Sequence, residues 1–117
     1  MNKAITAEFT NALERNASSF GVELSGAGIA QLASYYELLL RWNPRLHLVA
    51  PCSAIEFAMR HVLESLLLAT HLPNNARVVD VGSGAGLPVI PCLVARSDLR
   101  ATLIESSPKK TVFLREA

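Results

Sequence analysis

Five residues of this chain have the types and the spacing to do chemistry together: Asp80, Gly82, Gly84, Gly86 and Glu105. The first four fall in the run Val78-Val79-Asp80-Val81-Gly82-Ser83-Gly84-Ala85-Gly86-Leu87-Pro88, which reads as a buried strand, a glycine-rich turn and the first turn of a helix. Glycines at alternate positions let a backbone turn tightly and come close to a ligand, because no Cβ stands in the way. A helix that follows such a turn points its free N–H groups into the same space. The chemistry is that of holding a nucleotide or a nucleoside. Glu105, nineteen residues after Gly86, ends a second strand, where a carboxylate can accept hydrogen bonds from both hydroxyls of a ribose.

Two ligand classes use this arrangement. A dinucleotide site wants Gly-x-Gly-x-x-Gly, so that helix N–H groups meet a pyrophosphate. The third glycine of that pattern would be residue 87, which is leucine. The pattern present is Asp80-x-Gly82-x-Gly84-x-Gly86, with an acid two residues ahead of the first glycine. That acid repels a pyrophosphate and suits a ligand with a cationic end, such as S-adenosylmethionine with its ammonium and sulfonium groups. Taken singly, Asp80 reads equally well as a loop cap and Glu105 as a solvated strand end. Their placement around three spaced glycines in one βαβ frame favours a site.

The elements that must position these residues follow from periodicity. Residues 4–19 form an amphipathic helix closed by Gly21. Ser25 is an N-cap for a second helix that runs to about Trp42, with Ile29, Leu32, Tyr36, Leu39 and Leu40 on its apolar side. Pro44 disfavours the helical region for Asn43 and predicts the stop there. Ser53-Ala54-Ile55-Glu56 is a capping-box pattern for a third helix to about His71, which buries Ile55, Met59, Val62, Leu66 and Ala69. Arg60, His61, Glu64 and Ser65 gather on a neighbouring face of it, where an Arg60–Glu64 pair is worth a few tenths of a kcal/mol. From Arg77 the character changes to strand (to Val81), helix (from about Leu87 to Ala95, with Pro88 in the first turn), strand (Ala101 to Glu105) and a last helix begun by Pro108. A right-handed βαβ crossover is the default for that order.

Composition sets the outer bounds. The 117 residues, half of them hydrophobic and 18% charged, suit one small globular unit. Residues 1–75 carry five Lys/Arg and six Asp/Glu, and residues 76–117 carry six and four, so neither half is polybasic. Cys52 and Cys92 are isolated thiols rather than a disulfide framework or a zinc site. The longest nearly uncharged run, Ser65 to Ala76, is too short to cross a bilayer, and the N-terminus lacks the apolar core of a signal peptide. A cytoplasmic protein is expected.

Three stretches together resemble one family. They are Arg41-Trp42-Asn43 followed by Leu46-His47-Leu48, Arg60-His61-Val62-Leu63-Glu64-Ser65, and the glycine run Asp80–Pro88 with Glu105-Ser106, Lys109-Lys110 and Phe113-Leu114. They are similar to segments of the RsmG (GidB) family of bacterial methyltransferases. Those enzymes use S-adenosylmethionine to methylate N7 of a guanine in 16S ribosomal RNA. His47 and Val49 stand where that family usually has Asn and Thr, Glu64 where it has Asp, and Glu105 where Asp is frequent.

The resemblance implies an α/β fold with an N-terminal helical cap, residues 1–75. The cap precedes the first βαβ part, residues 76–117, of a Rossmann-like S-adenosylmethionine-dependent methyltransferase domain, truncated before the rest of its sheet. It implies that Asp80, Gly82, Ser83, Gly84, Gly86, Leu87, Glu105 and Ser106 bind the cofactor. Arg60, His61 and Ser65 would face the same cleft, with Lys109 and Lys110 near the RNA, and with no metal and no general base. It also implies a chain that is inactive on its own, with self-association through its exposed strand edge. The rival readings are an NAD-binding oxidoreductase domain and a non-catalytic helical interaction module.

Overall fold

The computed structural model describes residues 3–117. Helix α1, Lys3–Asn16, buries Phe9, Ala12 and Leu13, and a short 3-10 turn at Ala17–Phe20 carries it to Gly21. Gly21 adopts φ +68° and its N–H closes the end on Ala17 and Ser18 carbonyls, as the sequence predicts. Helix α2, Gly26–Leu46, opens on Ser25, whose Oγ accepts the Gly28 N–H at 3.0 Å.

Pro44 does not stop α2. The helix runs one turn further to Leu46 and closes with His47, at φ +51°, donating its N–H to the Asn43 carbonyl at 2.8 Å. In a last turn the proline forfeits few hydrogen bonds, so its cost is tolerated there. The Asn43 amide group compensates. It accepts the Val49 N–H at 3.0 Å and donates to the Val49 carbonyl at 3.1 Å, folding the exit loop back on the helix.

The third helical rod, α3, is continuous through Ala54–Glu56, Phe57–Leu63 and Glu64–Ala69, and its middle part is wound as a π-helix. Ser53 caps it by accepting the Glu56 N–H at 3.1 Å. The Glu56 side chain, however, turns forward to Arg60 at 3.3 Å instead of completing the capping box. The expected Arg60–Glu64 pair is therefore replaced by Glu56–Arg60, the order in which the acid precedes the base and suits the helix dipole. The wider turns also shift the buried stripe. Ala54, Phe57, Ala58, Val62, Leu63 and Leu66 are buried, while Ile55, expected inside, is 51% exposed. Phe57 becomes the centre of an aromatic cluster, 4.9 Å from Tyr36, which stacks on Phe9 at 4.4 Å. Such pairs contribute about 0.5–1.5 kcal/mol each beyond their buried area.

Strands β1, Arg77–Val81, and β2, Arg100–Ile104, are parallel and in register, Arg77 opposite Arg100 and Val81 opposite Ile104. Helix α4, Val89–Ala95, makes the crossover, and α5, Pro108–Glu116, follows β2. Pro91 falls in the first turn of α4, where its missing N–H is tolerated. Side chains alternate along each strand: Val78, Asp80, Ala101 and Leu103 face the helices, and Val79, Val81 and Ile104 face outward. β1 was expected to be a fully buried strand. Its outer face is open, with Val79 63% and Val81 76% exposed, because only one side of the two-stranded sheet is covered.

One core joins the two parts of the chain. Phe9, Leu13, Leu32 and Phe57 of the helical part pack in the same cluster as Val89, Ile90 and Phe113 of the βαβ part. Arg96, just past α4, adds a polar tie. Its guanidinium donates to the carbonyls of Ala69, Leu72 and Pro73 at 2.7–3.1 Å and pairs with Asp98 at 2.6 Å. Ala69 ends α3, where a cation is also favoured by the helix dipole, and Leu72 and Pro73 follow it in the loop. Asp98 in turn accepts the Asn75 N–H at 2.8 Å, and its carboxyl is held down to about 2 by Arg96 first and that N–H second. No helix among the described residues is long and apolar enough to cross a membrane.

Candidate functional site

A cleft of about 370 Å³ opens between the glycine turn, residues 82–85 with Leu87, and a wall formed by residues 48–50 and His61. The turn exists because three glycines take left-handed conformations, φ +72°, +53° and +82° at residues 82, 84 and 86. Their surroundings differ. A Cβ on Gly82 would meet nothing within 4 Å, and one on Gly84 only the Gly82 carbonyl at 3.9 Å, so both look into open space. A Cβ on Gly86 would run into the Ile90 side chain, with Cγ1 at 2.8 Å, and approach Leu114 at 3.2 Å. Gly86 thus serves the packing of α4 and α5 against the turn and does not line the cleft.

The turn's donors are engaged from within. The N–H groups of Gly82 and Ser83 go to the Ile104 carbonyl at 2.7 and 3.2 Å, and that of Gly86 to the Ser83 carbonyl at 2.7 Å. The N–H of Gly84 donates to Oε1 of Glu105 at 2.7 Å. The other carboxylate oxygen, Oε2, accepts the Ser107 N–H at 2.9 Å. The Ser107 and Gly84 N–H groups, in that order, with the Lys110 charge, hold the Glu105 carboxyl below the usual carboxylate range. The helix after the turn offers fewer free N–H groups than the sequence predicts. Pro88 and Pro91 have none, and the Ile90 N–H bonds to Gly86 at 2.8 Å.

Of the residues expected at a site, the structure brings Gly82, Ser83, Gly84, Leu87 and His61 to one cleft, with Glu105 bonded to its rim. Ser83 is buried, its Oγ donating to the Asp80 carbonyl at 3.1 Å. Asp80 itself faces the other way. Alternation along β1 sends its side chain under the sheet, where it lines a separate apolar cavity of about 210 Å³ with Leu68, Leu72 and Cys92. Oδ2 of Asp80 is buried there without a hydrogen-bond partner among the described residues.

Arg60 is exposed and paired with Glu56, away from the cleft lining. Ser65 is buried and donates its hydroxyl to the His61 carbonyl one turn back, so it steadies the π-helical turn that carries His61. Ser106 and Lys109 are exposed on the loop and first turn before and within α5, and Lys110 lies near the Glu105 carboxylate. Among the described residues no group of three His, Cys, Asp or Glu is placed to hold a metal ion.

Three further residues build the site without having been singled out for it. The Tyr35 hydroxyl, buried, donates to the Ala85 carbonyl at 2.6 Å and fixes the turn to α2; burial pushes its ionisation above the ordinary tyrosine range. Asn43 holds the opposite wall through Val49. Ser107 caps α5, accepting the Lys110 N–H at 3.3 Å, while its own N–H goes to Glu105. Only Ser107 carried a local signal, a Ser-Pro pair at the start of a helical pattern.

Comparison with known proteins agrees with this geometry. Residues 28–117 match the family described as GidB, rRNA small subunit methyltransferase G. A ribosomal RNA small subunit methyltransferase G from Nitrosococcus oceani is 41% identical over 107 residues, 92% of this chain and 50% of the relative. The protein of the same name from Chromobacterium violaceum is 38% identical over 107 residues, 92% of this chain and 51% of the relative. That from Pseudomonas fluorescens is 35% identical over 116 residues, 99% of this chain and 54% of the relative. The chain spans about half the length of the curated relatives it matches. With a βαβ unit, a glycine turn and an upstream helical cap all in the matched stretch, the chain belongs to the rRNA small subunit methyltransferase G (GidB) family.

Proposed function

We propose that this chain supplies the cofactor-binding half of an S-adenosylmethionine-dependent enzyme that methylates N7 of a guanine in 16S ribosomal RNA. The observation that carries the reading is the state of the glycine turn. Its Gly84 N–H is held by the Glu105 carboxylate, while Gly82 and Gly84 face open space. A pyrophosphate finds the Gly82, Ser83, Gly84 and Gly86 N–H groups already engaged and meets a negative charge. A ribose brings hydroxyl donors that the remaining lone pairs of Glu105 accept. The residues present therefore fit S-adenosylmethionine better than NAD, and the family supplies the methyl-transfer context.

S-adenosylmethionine, when bound, supplies an activated methyl group. What the chain's own residues do is position. Gly82, Gly84 and Leu87 shape the floor of the cleft, Glu105 orients the sugar, and His61 with residues 48–50 forms the facing wall. Guanine N7 carries an in-plane lone pair and no proton, so the reaction asks for no general base. His61, with Phe57 packed at 5.2 Å, serves as a wall. Rate enhancement then rests on holding two reactants at near-attack distance. The exposed Lys109 and Arg60 and the half-buried Lys110 are candidates for phosphate contacts with RNA, an interaction that belongs in the cytoplasm.

In this reading the chain alone is inactive, since the relatives are twice as long, and the bare Val79, Val81 and Ile104 face favours self-association. Isothermal titration with S-adenosylhomocysteine and with NAD tests the proposal. Heat from S-adenosylhomocysteine alone is expected; binding of NAD alone refutes it.

A further inference from the structure

Behind the cleft, two hydrogen bonds join its walls. The S–H of Cys92, on α4 just beyond the glycine turn, donates to the Ser65 carbonyl at 3.3 Å, and the Ser65 hydroxyl donates to the carbonyl of His61. Ser65 and Cys92 are both buried and neither lines the cleft, whereas His61 does. A serine that bonds the carbonyl four residues back is common in helices and often does no more than bend them. The place of this one sets it apart. It stands one residue past the point where α3 returns from π-winding to α-winding, at Glu64, whose N–H still reaches back five residues to Met59.

The winding decides where His61 stands. An α-helix holds about 3.6 residues per turn, so a residue four positions on lies past a full turn. A π-helix, bonded five residues back, holds more than four, so the same residue falls short of one. His61 is four residues after Phe57, whose buried ring stacks on Tyr36 and lies 5.2 Å from the imidazole. π-winding therefore sets His61 on one side of Phe57, the side on which it lines the cleft, and α-winding would carry it across to the other. We infer that Ser65 is a positioning residue: it holds the His61 carbonyl at the end of the π-wound turn, is itself pinned to α4 through Cys92, and so sets the imidazole on the cleft wall. The choice of reporter ligand below rests on the functional reading above; the placement of His61 does not.

The test uses the full 117-residue chain at about pH 8, where an ordinary imidazole is neutral, so that ring shifts report position and not charge. Proton resonances of the His61 ring, displaced by the Phe57 ring current, are compared between the natural chain, Ser65→Ala and Ser65→Thr, which keeps a hydroxyl that reaches the same carbonyl. S-adenosylhomocysteine affinity is measured by calorimetry on these, on His61→Ala and on the double variant. Ser65→Ala is expected to shift the His61 resonances and to weaken the ligand about 3- to 10-fold, and Ser65→Thr to keep both near the natural values. Once His61 is already alanine, Ser65→Ala is expected to add less than ~2-fold.

Unmoved His61 resonances in Ser65→Ala overturn the inference, as do resonances displaced equally in Ser65→Thr. So does a loss of affinity that persists in full in the His61→Ala background. On the natural chain, a through-hydrogen-bond coupling from the Glu64 N–H to the Arg60 carbonyl, the α pairing, in place of Met59 overturns it whether or not the variant folds. If S-adenosylhomocysteine fails to bind the natural chain, the functional reading falls, and the resonances alone decide the placement of His61.

Discussion

Tyr35 and Tyr36 are neighbours on α2, both buried, and the structure gives their hydroxyls opposite worth. The Tyr35 O–H donates to the Ala85 carbonyl at 2.6 Å in a buried setting. Tyr36 is placed by its ring, stacked between Phe9 and Phe57, and its hydroxyl makes no hydrogen bond among the described residues. Replacing Tyr35 by Phe keeps the ring contacts with Phe57 and Phe113 and removes one donor, leaving the Ala85 carbonyl short of its partner. Orphaning a buried acceptor costs about 1–3 kcal/mol. For a chain of this size each kcal/mol lowers Tm by roughly 4 °C, so a fall of roughly 4–12 °C is expected.

Tyr36→Phe is expected to shift stability by less than ~0.5 kcal/mol. Urea and thermal unfolding followed by circular dichroism measure both. Because Ala85 lines the cleft, Tyr35→Phe should also weaken S-adenosylhomocysteine several-fold. A Tyr35→Phe protein as stable as the natural one, or a Tyr36→Phe protein equally damaged, refutes the assignment of the turn's anchor to Tyr35.

Gly86→Ala meets both a left-handed φ and the Ile90 and Leu114 side chains, so a loss of about 2–4 kcal/mol is expected in urea unfolding. Gly82→Ala carries only the conformational cost, about 1–2 kcal/mol, and should instead show its main effect as lost ligand affinity by calorimetry, since its methyl enters open space. Arg96→Gln should lower the unfolding midpoint and raise amide exchange at the end of α3, where the Ala69, Leu72 and Pro73 carbonyls lose their shared donor. Asp98 ionises below its ordinary value in the folded chain, so it contributes stability above about pH 4 that is lost as pH falls toward about 2. An acid titration of unfolding should therefore be flatter in Asp98→Asn through that window.

The sequence was informative where a local rule decides the outcome. Ser25 and Ser53 cap helices because a short side-chain oxygen reaches a free N–H two or three residues on, and Gly21 closes α1 because φ +68° is cheap for glycine. The strand, glycine turn and strand were legible for the same reason. What stayed hidden depends on contacts between distant segments. Tyr35 and Ala85 are fifty residues apart, and nothing local marks Tyr35 rather than Tyr36 as the donor. Pro44 was read as a stop because the rule for the residue before proline is statistical, and the Asn43–Val49 clasp that overrides it lies across a loop. The π-helical winding of Phe57–Leu63 moved Ile55 outward through a change of period that an α-helical template cannot anticipate.

The glycine turn is held from four directions, and that arrangement decides how the chain must fold. Tyr35 reaches it from α2, the Ile104 carbonyl and the Glu105 carboxylate from the end of β2, and Ile90 and Leu114 close on Gly86 from α4 and α5. A division at residue 75 into cap and cofactor-binding unit describes the order of the sequence, yet the shared core of Phe9, Phe57, Ile90 and Phe113 crosses it. The turn's geometry therefore depends on both sides being folded. Probes on either side, an α1 amide and a β1 amide in hydrogen exchange, should open with the same free energy, whereas a cap that frays well below the strands would show that the turn is organised by the βαβ unit alone.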